Sequence, residues 1–281
     1  MARANRSDML RAIPDTFDPA VVRSVDQRLA DACEAEGVTI PLAIESGSRA
    51  WGFPSPDSDY DCRFVFVRPA DQYLSLWPRR DVIETPLDRV LDVNGWELRK
   101  ALKLLLKGNA VIIEWLTSPV IYHADAKFRE EFLSLVRRLA DPNLIARHYL
   151  YLGLRQRRTY FADPEQVAIK KLFYAIRPAA ALRWLEAHAG NAAPPMHFPT
   201  LMDECDPPAG LRAVVDDLLA KKAVTHELGV GPIPAEVLAF IDSQFAAAEA
   251  SDAVRKATVS EEGRAEAEAF FKSATQQFGK G

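Results

Sequence analysis

Cysteine is scarce in this chain of 281 residues, and no apolar stretch is long enough to cross a bilayer. The three cysteines are too few and too scattered for a disulfide framework or a zinc site. No segment approaches the roughly 18 to 20 apolar residues of a membrane span, and the polar N-terminus leads into no apolar signal segment. These absences favour a cytoplasmic protein with reduced thiols and no membrane partner.

The chain also has only a small excess of one sign of charge, with 35 basic and 39 acidic residues. The net charge of -4 argues against a protein that wraps nucleic acid along its whole surface. The distribution is uneven, because the segment from Arg137 to Arg183 contains ten basic and three acidic residues, a local net charge of +7. Such a segment suits an anionic substrate, and solvated helix faces explain it equally well.

The most informative segment present is Gly47-Ser48-Arg49-Ala50-Trp51-Gly52, followed by Ser58-Asp59-Tyr60-Asp61-Cys62-Arg63. The first part predicts a Gly-Ser turn before a helix. The second predicts a strand on which Asp59 and Asp61 point to the same side, because side chains alternate along a strand. Two carboxylates beside a Gly-Ser phosphate cradle are typical of proteins that hold Mg²⁺ on a nucleoside triphosphate.

Hydrophobic periodicity divides the chain into two parts. In the first part, a helix begins at Asp18-Pro19 and ends at Gly37, and Asn94-Gly95 turns the chain into an amphipathic helix that ends at Gly108. Strands are predicted over 38–46, 60–67, 81–84 and 89–93. From about residue 125 the pattern is helical, with segments near 125–140, 143–162, 165–189, 208–222, 234–250 and 259–276.

This change of pattern predicts an α+β fold in two domains. A mixed sheet flanked by helices is expected over residues 1–118, followed by an all-helical domain over residues 119–281. The last 30 or so residues are rich in Ala, Glu and Lys, and we expect them to form a loosely attached helix.

The spacing of Gly-Ser and Asp-x-Asp resembles the signature of the DNA polymerase β nucleotidyltransferase superfamily. The longer motifs around Gly47 and Asp59 resemble its RlaP branch, which is linked to RNA repair. The resemblance extends from about residue 40 to about residue 230 and is supported by segments 91–100, 114–119 and 170–178. It implies a polymerase β-like catalytic core and an NTP as substrate.

The resemblance also implies roles for individual residues. Gly47 and Ser48 would hold the β- and γ-phosphates, with the start of a helix favouring the anion. Asp59 and Asp61 would ligate two Mg²⁺ ions, with Mn²⁺ as the alternative metal. Asp92 would be the third carboxylate, both catalytic and metal-binding, and Glu84 on the preceding strand is the alternative.

Several basic and aromatic residues are candidates for nucleotide contacts. Arg49 could bind a phosphate or form a salt bridge with Glu45 or Asp57, and Trp51 is expected to pack rather than to stack on a base. The remaining candidates for phosphate or base contacts are Arg63, Lys170, Lys171, Tyr174 and Arg177. On a continuous helix over 165–189, Lys170, Tyr174 and Arg177 would share one face.

Three functions are compatible with this pattern. The first is Mg²⁺-dependent transfer of a nucleoside monophosphate from an NTP to an acceptor hydroxyl, with an RNA end as the acceptor. The second keeps the reaction and places it on a small molecule or a protein side chain. The third is a binding module for nucleotide or RNA without catalysis, which would require a broken carboxylate triad.

Overall fold

The structure is a computed structural model, and it describes residues 9–88, 90–225, 229–259, 261 and 263–280. The strands are β1 (Met9–Ala12), β2 (Thr39–Glu45), β3 (Tyr60–Val67), β4 (Val82–Glu84), β5 (Leu91–Glu97), β6 (Ile121–Asp125), β7 (Val167–Ala168) and β8 (Val230–Gly231). The first six form one sheet in the order β1-β6-β2-β3-β5-β4, and β7 pairs with β8. Within the six-stranded sheet β3 and β5 run parallel, and the other neighbours are antiparallel.

Helices pack around this sheet, and after β6 the chain is mostly helical. They are α1 (Pro19–Glu36), α2 (Gly47–Ala50), α3 (Leu98–Leu106), α4 (Ala110–Thr117), α5 (Ala126–Leu139), α6 (Pro142–Tyr160), α7 (Phe173–Ala187), α8 (Phe198–Glu204), α9 (Ala209–Val224), α10 (Ala235–Ala250), α11 (Asp252–Lys256) and α12 (Gly263–Phe278). A mixed sheet followed by mostly helical chain confirms the predicted α+β fold class. None of the described helices is both long enough and apolar enough to cross a membrane.

Side-chain alternation along β3 separates two cores and leaves room for a polar site. Tyr60, Cys62 and Phe64 pack into the cluster that α1 covers. Val65 and Val67 face the other way, into the large core shared with the C-terminal helices. Asp61 and Arg63 lie on that same side, nearer the start of the strand, because side chains repeat with period two. The side of the sheet that packs on the helical part therefore begins with charged residues.

Two parts of the chain cross the division that the sequence predicts. β6 begins at residue 121, beyond the predicted boundary at 118, and pairs with both β1 and β2. α12 returns to the sheet, where Thr39 Oγ1 donates a hydrogen bond to the carbonyl oxygen of Phe278 at 2.9 Å. Its Phe270 packs against Phe128 and Phe132, so the prediction of a loosely attached last helix is wrong.

The predicted turn at Asn94-Gly95 is also wrong, because both residues lie inside β5 and α3 begins at Leu98. The glycine serves a close approach between neighbouring strands. A Cβ on Gly95 would lie 2.1 Å from Cε2 of Phe64, so the ring of Phe64 occupies the space of a side chain.

The predicted helix over 165–189 is divided in the structure. Residues 167–168 form β7, residues 169–171 form a 3-10 turn, and α7 runs only from Phe173 to Ala187. Lys170 therefore precedes the helix that carries Tyr174 and Arg177. The assumption of one shared helical face for these three residues does not hold.

Candidate functional site

The acidic residues of the predicted site meet where β3 and β5 begin. Asp61 is the second residue of β3 and lies opposite Asp92, the second residue of β5, in the parallel ladder. Asp59 immediately precedes β3. The side chains of Asp61 and Asp92 are 27% and 29% exposed, so both are accessible from the same side. The structure brings these three carboxylates together.

Glu84, the alternative third acid, lies farther away. It stands on the edge strand β4 opposite Asn94, so β5 separates it from Asp61. Its carboxylate is more than half exposed and pairs with Arg80. Asp92 is therefore the candidate that neighbours Asp61.

Position 47 accommodates only glycine, because of its backbone conformation and because Asp61 lies against it. Its backbone has a φ of +59°, which favours glycine. A Cβ at this position would lie 2.0 Å from Oδ2 of Asp61. The amide of the preceding Ser46 also donates to the carbonyl oxygen of Asp61 at 2.8 Å. The Gly-Ser turn and the acidic strand are thus packed directly against each other.

The helix after this turn is a single turn, α2, rather than a long element. A helix of four residues sums few peptide dipoles, so its effect on an anion comes mainly from its free N–H groups. The Ser48 hydroxyl lies 2.9 Å from the Ser58 hydroxyl, which in turn accepts a hydrogen bond from the amide of Ser55 at 2.9 Å. These contacts hold the loop before Asp59 against the Gly-Ser turn.

Glu45 is a site residue that the sequence interpretation missed. Its side chain is fully buried, and Oε1 accepts the backbone N–H of Asp61 at 2.8 Å. Oε2 accepts the Tyr122 hydroxyl at 2.6 Å. Burial raises the pKa of Glu45 to about 7, against the opposing effect of these hydrogen bonds. The available signal was one acid at the end of the apolar strand β2, directly before Ser46-Gly47.

Arg49 contacts the acidic strand through its backbone. Its Nη2 donates to the carbonyl oxygen of Ser58 at 2.7 Å, and its Nε donates to that of Asp59 at 3.1 Å. The guanidinium carbon lies 3.9 Å from the centre of the Tyr60 ring. Arg49 therefore braces the chain at Asp59, and its role as a phosphate ligand stays a prediction.

Arg63 lies among the carboxylates. Its Nη2 is 3.0 Å from Asp61 Oδ1 and 2.6 Å from Asp92 Oδ2. Burial raises the pKa of Asp61; Arg63 opposes this effect, while Asp92 and Asp59 add to it. The cluster is therefore rich in negative charge that the guanidinium only partly compensates.

The donor set fits a hard divalent cation at Asp59 and Asp61. Carboxylate oxygens are the ligands that Mg²⁺ prefers, and like-charged neighbours are relieved by a bound cation. Within the described residues, however, no group of three or more His, Cys, Asp or Glu side chains is arranged to hold a metal ion. The fit therefore rests on the pair Asp59 and Asp61, and Asp92 faces Arg63.

These residues open into a cavity of about 450 Å³ with two chemically different walls. One wall, here called the acidic wall, consists of Asp59, Asp61 and the residues that hold them. A second part of the lining, called the basic wall, is formed by Lys170, Lys171 and Lys222 with Tyr174. The cavity thus brings cations and carboxylates to one space, a combination that suits a polyanion bound through a metal ion.

Lys171 and Tyr174 form one part of the basic wall. The Lys171 ammonium lies 4.6 Å from the Tyr160 ring centre and 4.8 Å from that of Tyr174, within the range of cation–π contacts. The Tyr174 ring meets Trp51 edge to face at 6.1 Å. The rings of Tyr160 and Tyr174 therefore hold the Lys171 ammonium beside the cavity.

Arg177, another predicted nucleotide contact, is directed into the protein core. Its Nη2 lies 2.7 Å from Oε1 of Glu114, and both side chains are nearly fully buried. The Tyr149 hydroxyl donates to the same oxygen at 2.9 Å. The guanidinium also lies over Trp51 at 4.4 Å, which gives that tryptophan the predicted packing role at the cavity edge. Arg177 does not line the cavity.

Lys222, which the sequence interpretation missed, does line it. The residue lies in the last turn of α9, is 7% exposed, and has its ammonium 5.6 Å from the Phe53 ring centre. Burial lowers its pKa, Asp57 opposes this effect, and Lys170 adds to it. Within the described part of the chain Lys222 forms no ion pair. The signal was a lysine in phase with Leu211, Val215 and Leu218, on the buried side of the helix.

A sheet that carries a Gly-Ser turn against an acidic strand, closed by a helical part with cations, defines a polymerase β-like nucleotidyltransferase fold. The profile of the family RlaP, described as "RNA repair pathway DNA polymerase beta family", matches residues 21–273. The chain belongs to this family, which supports a nucleotidyltransferase-type role. It is also 42% identical over 195 residues to the uncharacterized protein YcgL of Bacillus subtilis (strain 168), covering 69% of this chain and 74% of that protein.

Proposed function

We propose that this protein is a Mg²⁺-dependent nucleotidyltransferase that moves a nucleoside monophosphate from an NTP to the hydroxyl of an RNA end. The observation that carries the proposal is one cavity lined both by Asp59 and Asp61 and by Lys170, Lys171 and Lys222. A metal-bound triphosphate needs both kinds of group: carboxylates for the metal and cations for the remaining phosphate charge.

Each wall has a distinct task in this proposal. Asp59 and Asp61 would hold Mg²⁺ or Mn²⁺, which when bound neutralises charge on the reacting phosphates. Gly47 and Ser48 let the phosphates approach the backbone, and the three lysines hold the outer phosphates. Tyr174, which also lines the cavity, would contact the base.

The transfer is a balanced substitution at phosphorus. The acceptor oxygen forms a bond to the α-phosphorus, and the bond from that phosphorus to the bridging oxygen of the β-phosphate breaks. Pyrophosphate leaves with the bonding electron pair, and the hydroxyl proton is released to solvent. The protein groups therefore act by position and charge, without a covalent intermediate.

The family's description supports an RNA acceptor more strongly than the basic segment does. Many basic residues between Arg137 and Arg183 are used inside the fold: Arg138 pairs with Glu266, and Arg157 pairs with Asp242. The cations of that segment that line the cavity are Lys170 and Lys171. The proposal of an RNA end thus depends on family membership.

The test is transfer of label from NTP carrying ³²P at the α-phosphate. Wild-type protein with Mg²⁺ should label RNA, and Asp61→Asn should reduce the rate at least about 100-fold while the melting temperature shows a folded protein. Asp31→Asn, an exposed acid on α1 hydrogen-bonded to Gln27, is the control and should remain active.

A panel of acceptors separates the remaining functions. Label on an aminoglycoside or on protein in a lysate, with none on RNA, would move the reaction to a small molecule or a side chain. Nucleotide-dependent thermal stabilisation without label on any acceptor would indicate a binding module.

A further inference from the structure

Arg63 occupies the interior of the acidic cluster. Besides its contacts with the carboxylates of Asp61 and Asp92, its Nη1 donates to the carbonyl oxygen of Cys62 at 3.0 Å and to that of Asp92 at 2.7 Å. These two carbonyl groups belong to the parallel strands β3 and β5. The sheet backbone therefore holds the guanidinium in place, independently of the carboxylates.

The oxygens of the acidic cluster are not equally available. Asp92 Oδ2 binds Arg63, and Asp92 Oδ1 accepts from Asn94 Nδ2 at 2.5 Å. Asp61 Oδ1 accepts a hydrogen bond from Arg63, whereas Asp61 Oδ2 lies next to Gly47. Among the described residues, the carboxylate of Asp59 forms no ion pair. The free oxygens thus lie on Asp59 and Asp61, and both oxygens of Asp92 have protein donors.

We infer that Arg63 is a built-in cation that takes the place of a second metal ion, with Asp92 as its counter-ion. One divalent metal ion would then be held by Asp59 and Asp61. This inference deepens the proposed function and rests on it, since it changes how many metal ions the site takes and what Asp92 does. A two-metal site would instead have Asp92 bind metal directly, as the resemblance implies.

The charge of the cluster agrees with a single divalent ion. The formal charges of three carboxylates and one guanidinium sum to -2, which one Mg²⁺ balances before the nucleotide binds. A second divalent ion next to Arg63 would meet a fixed positive charge at contact distance, in a site where side chains are only about one-fifth to one-third exposed. The guanidinium therefore disfavours a second metal ion at Asp92.

The test counts bound Mn²⁺ by electron paramagnetic resonance, with a non-hydrolysable NTP analogue present. Wild-type protein should bind one Mn²⁺ per chain, and Asp92→Asn should keep that ion with an affinity within about threefold. Arg63→Met should gain a second ion, because it frees the carboxylate of Asp92 and removes the opposing charge. Arg63→Lys, which retains a cation, should return the count to one.

Arg28→Met is the matched control. Arg28 likewise joins a backbone carbonyl, that of Pro86, to an aspartate, Asp88, away from the cavity. It should leave the Mn²⁺ count at one. Melting temperatures establish that each variant is folded.

The outcomes separate this inference from the proposed function. Two Mn²⁺ on wild-type protein, reduced to one by Asp92→Asn, would overturn the inference and leave the nucleotidyltransferase standing. An unchanged count in a folded Arg63→Met variant would also overturn it. Wild-type protein that binds neither Mn²⁺ nor the analogue would contradict the proposed function, and the inference with it.

Discussion

The two walls of the cavity are built in different ways. The acidic wall comes from neighbouring strands and one turn, where Asp61 faces Asp92 in a regular ladder and packs on Gly47. The basic wall is assembled from a 3-10 turn, the start of α7 and the end of α9, which carry Lys171, Tyr174 and Lys222. One wall is a local pattern, and the other is a product of helix packing.

This difference has a consequence for how substitutions act. Strand register and a close backbone contact place the acidic groups, so a small change there displaces them directly. The basic wall consists of long side chains on separate elements, so loss of one lysine leaves the others in place. We therefore expect the acidic wall to be far more sensitive than the basic wall.

Substitution of Gly47 should have the largest effect, and it tests most strongly whether the acidic wall is more sensitive than the basic wall. In Gly47→Ala the new methyl group would collide with Oδ2 of Asp61 and move the carboxylate. We expect nucleotidyl transfer to fall about 10³-fold, equivalent to roughly 4 kcal/mol. Steady-state rates with α-labelled NTP measure it.

Gly37→Ala is the control for backbone strain. Gly37 has a φ of +60°, close to that of Gly47, and a Cβ there would meet nothing within 4 Å. Both variants should lose about 1 kcal/mol of stability from the left-handed backbone, and only Gly47→Ala should lose activity. Equal activity in the two variants would contradict the contact with Asp61.

Arg177 tests whether the basic wall extends into the core. Arg177→Met leaves the buried carboxylate of Glu114 without its cation, and we expect the free energy of unfolding to fall by about 3 kcal/mol. Urea unfolding measures the loss, and the KM for NTP should change less than about twofold.

A more exposed ion pair between an arginine and an aspartate provides the reference for Arg177→Met. Arg157 and Asp242 are about two-fifths exposed, so Arg157→Met should cost less than about 1 kcal/mol. A raised KM in Arg177→Met with unchanged stability would instead make Arg177 part of the nucleotide site, as the sequence predicts.

Glu45 gives the acidic wall a pH dependence. Burial raises its folded pKa to about 7 from an ordinary value of 4.5, so the folded state binds the proton more tightly. The stabilisation is complete below about pH 4.5 and is lost as the pH rises through 7. Between pH 5 and pH 8 this group alone should lower the free energy of unfolding by about 2 kcal/mol.

Glu45→Gln isolates this contribution, because glutamine does not titrate. Urea unfolding at pH 5 and pH 8, in EDTA to remove metal ions, should show a smaller fall with pH for the variant than for the wild type. Identical pH profiles would show that Glu45 is ionised in both the folded and the unfolded state throughout this range.

Lys222 gives the smallest expected effect and tests the basic wall. Lys222→Met should raise the KM for NTP about tenfold, roughly 1.4 kcal/mol, with little change in kcat. Lys221→Met, which alters an exposed neighbour paired with Asp217, should leave the KM unchanged. An equal effect of both variants would mean that nonspecific charge, rather than the buried position, attracts the nucleotide.

The same contrast explains what could be predicted from the sequence. β3 was predicted with its observed limits, since apolar alternation is a property of the local sequence. The Gly-Ser turn near it is likewise recognisable from the local sequence. Gly95 was wrongly predicted to lie in a turn. The feature that requires glycine there is the ring of Phe64, which lies on another strand. Lys222 and Glu45 were missed because only tertiary packing shows that Lys222 lines the cavity and that Glu45 accepts the backbone N–H of Asp61.

A doubly labelled NTP distinguishes transfer of the α-phosphate from transfer of the γ-phosphate in a single reaction. With ³²P at the α-phosphate and ³³P at the γ-phosphate, we expect ³²P on the acceptor RNA and ³³P in pyrophosphate, with both products lost in Asp61→Asn. Transfer of ³³P to the acceptor, or release of ³³P as inorganic phosphate with no ³²P on RNA, would contradict nucleotidyl transfer at this site.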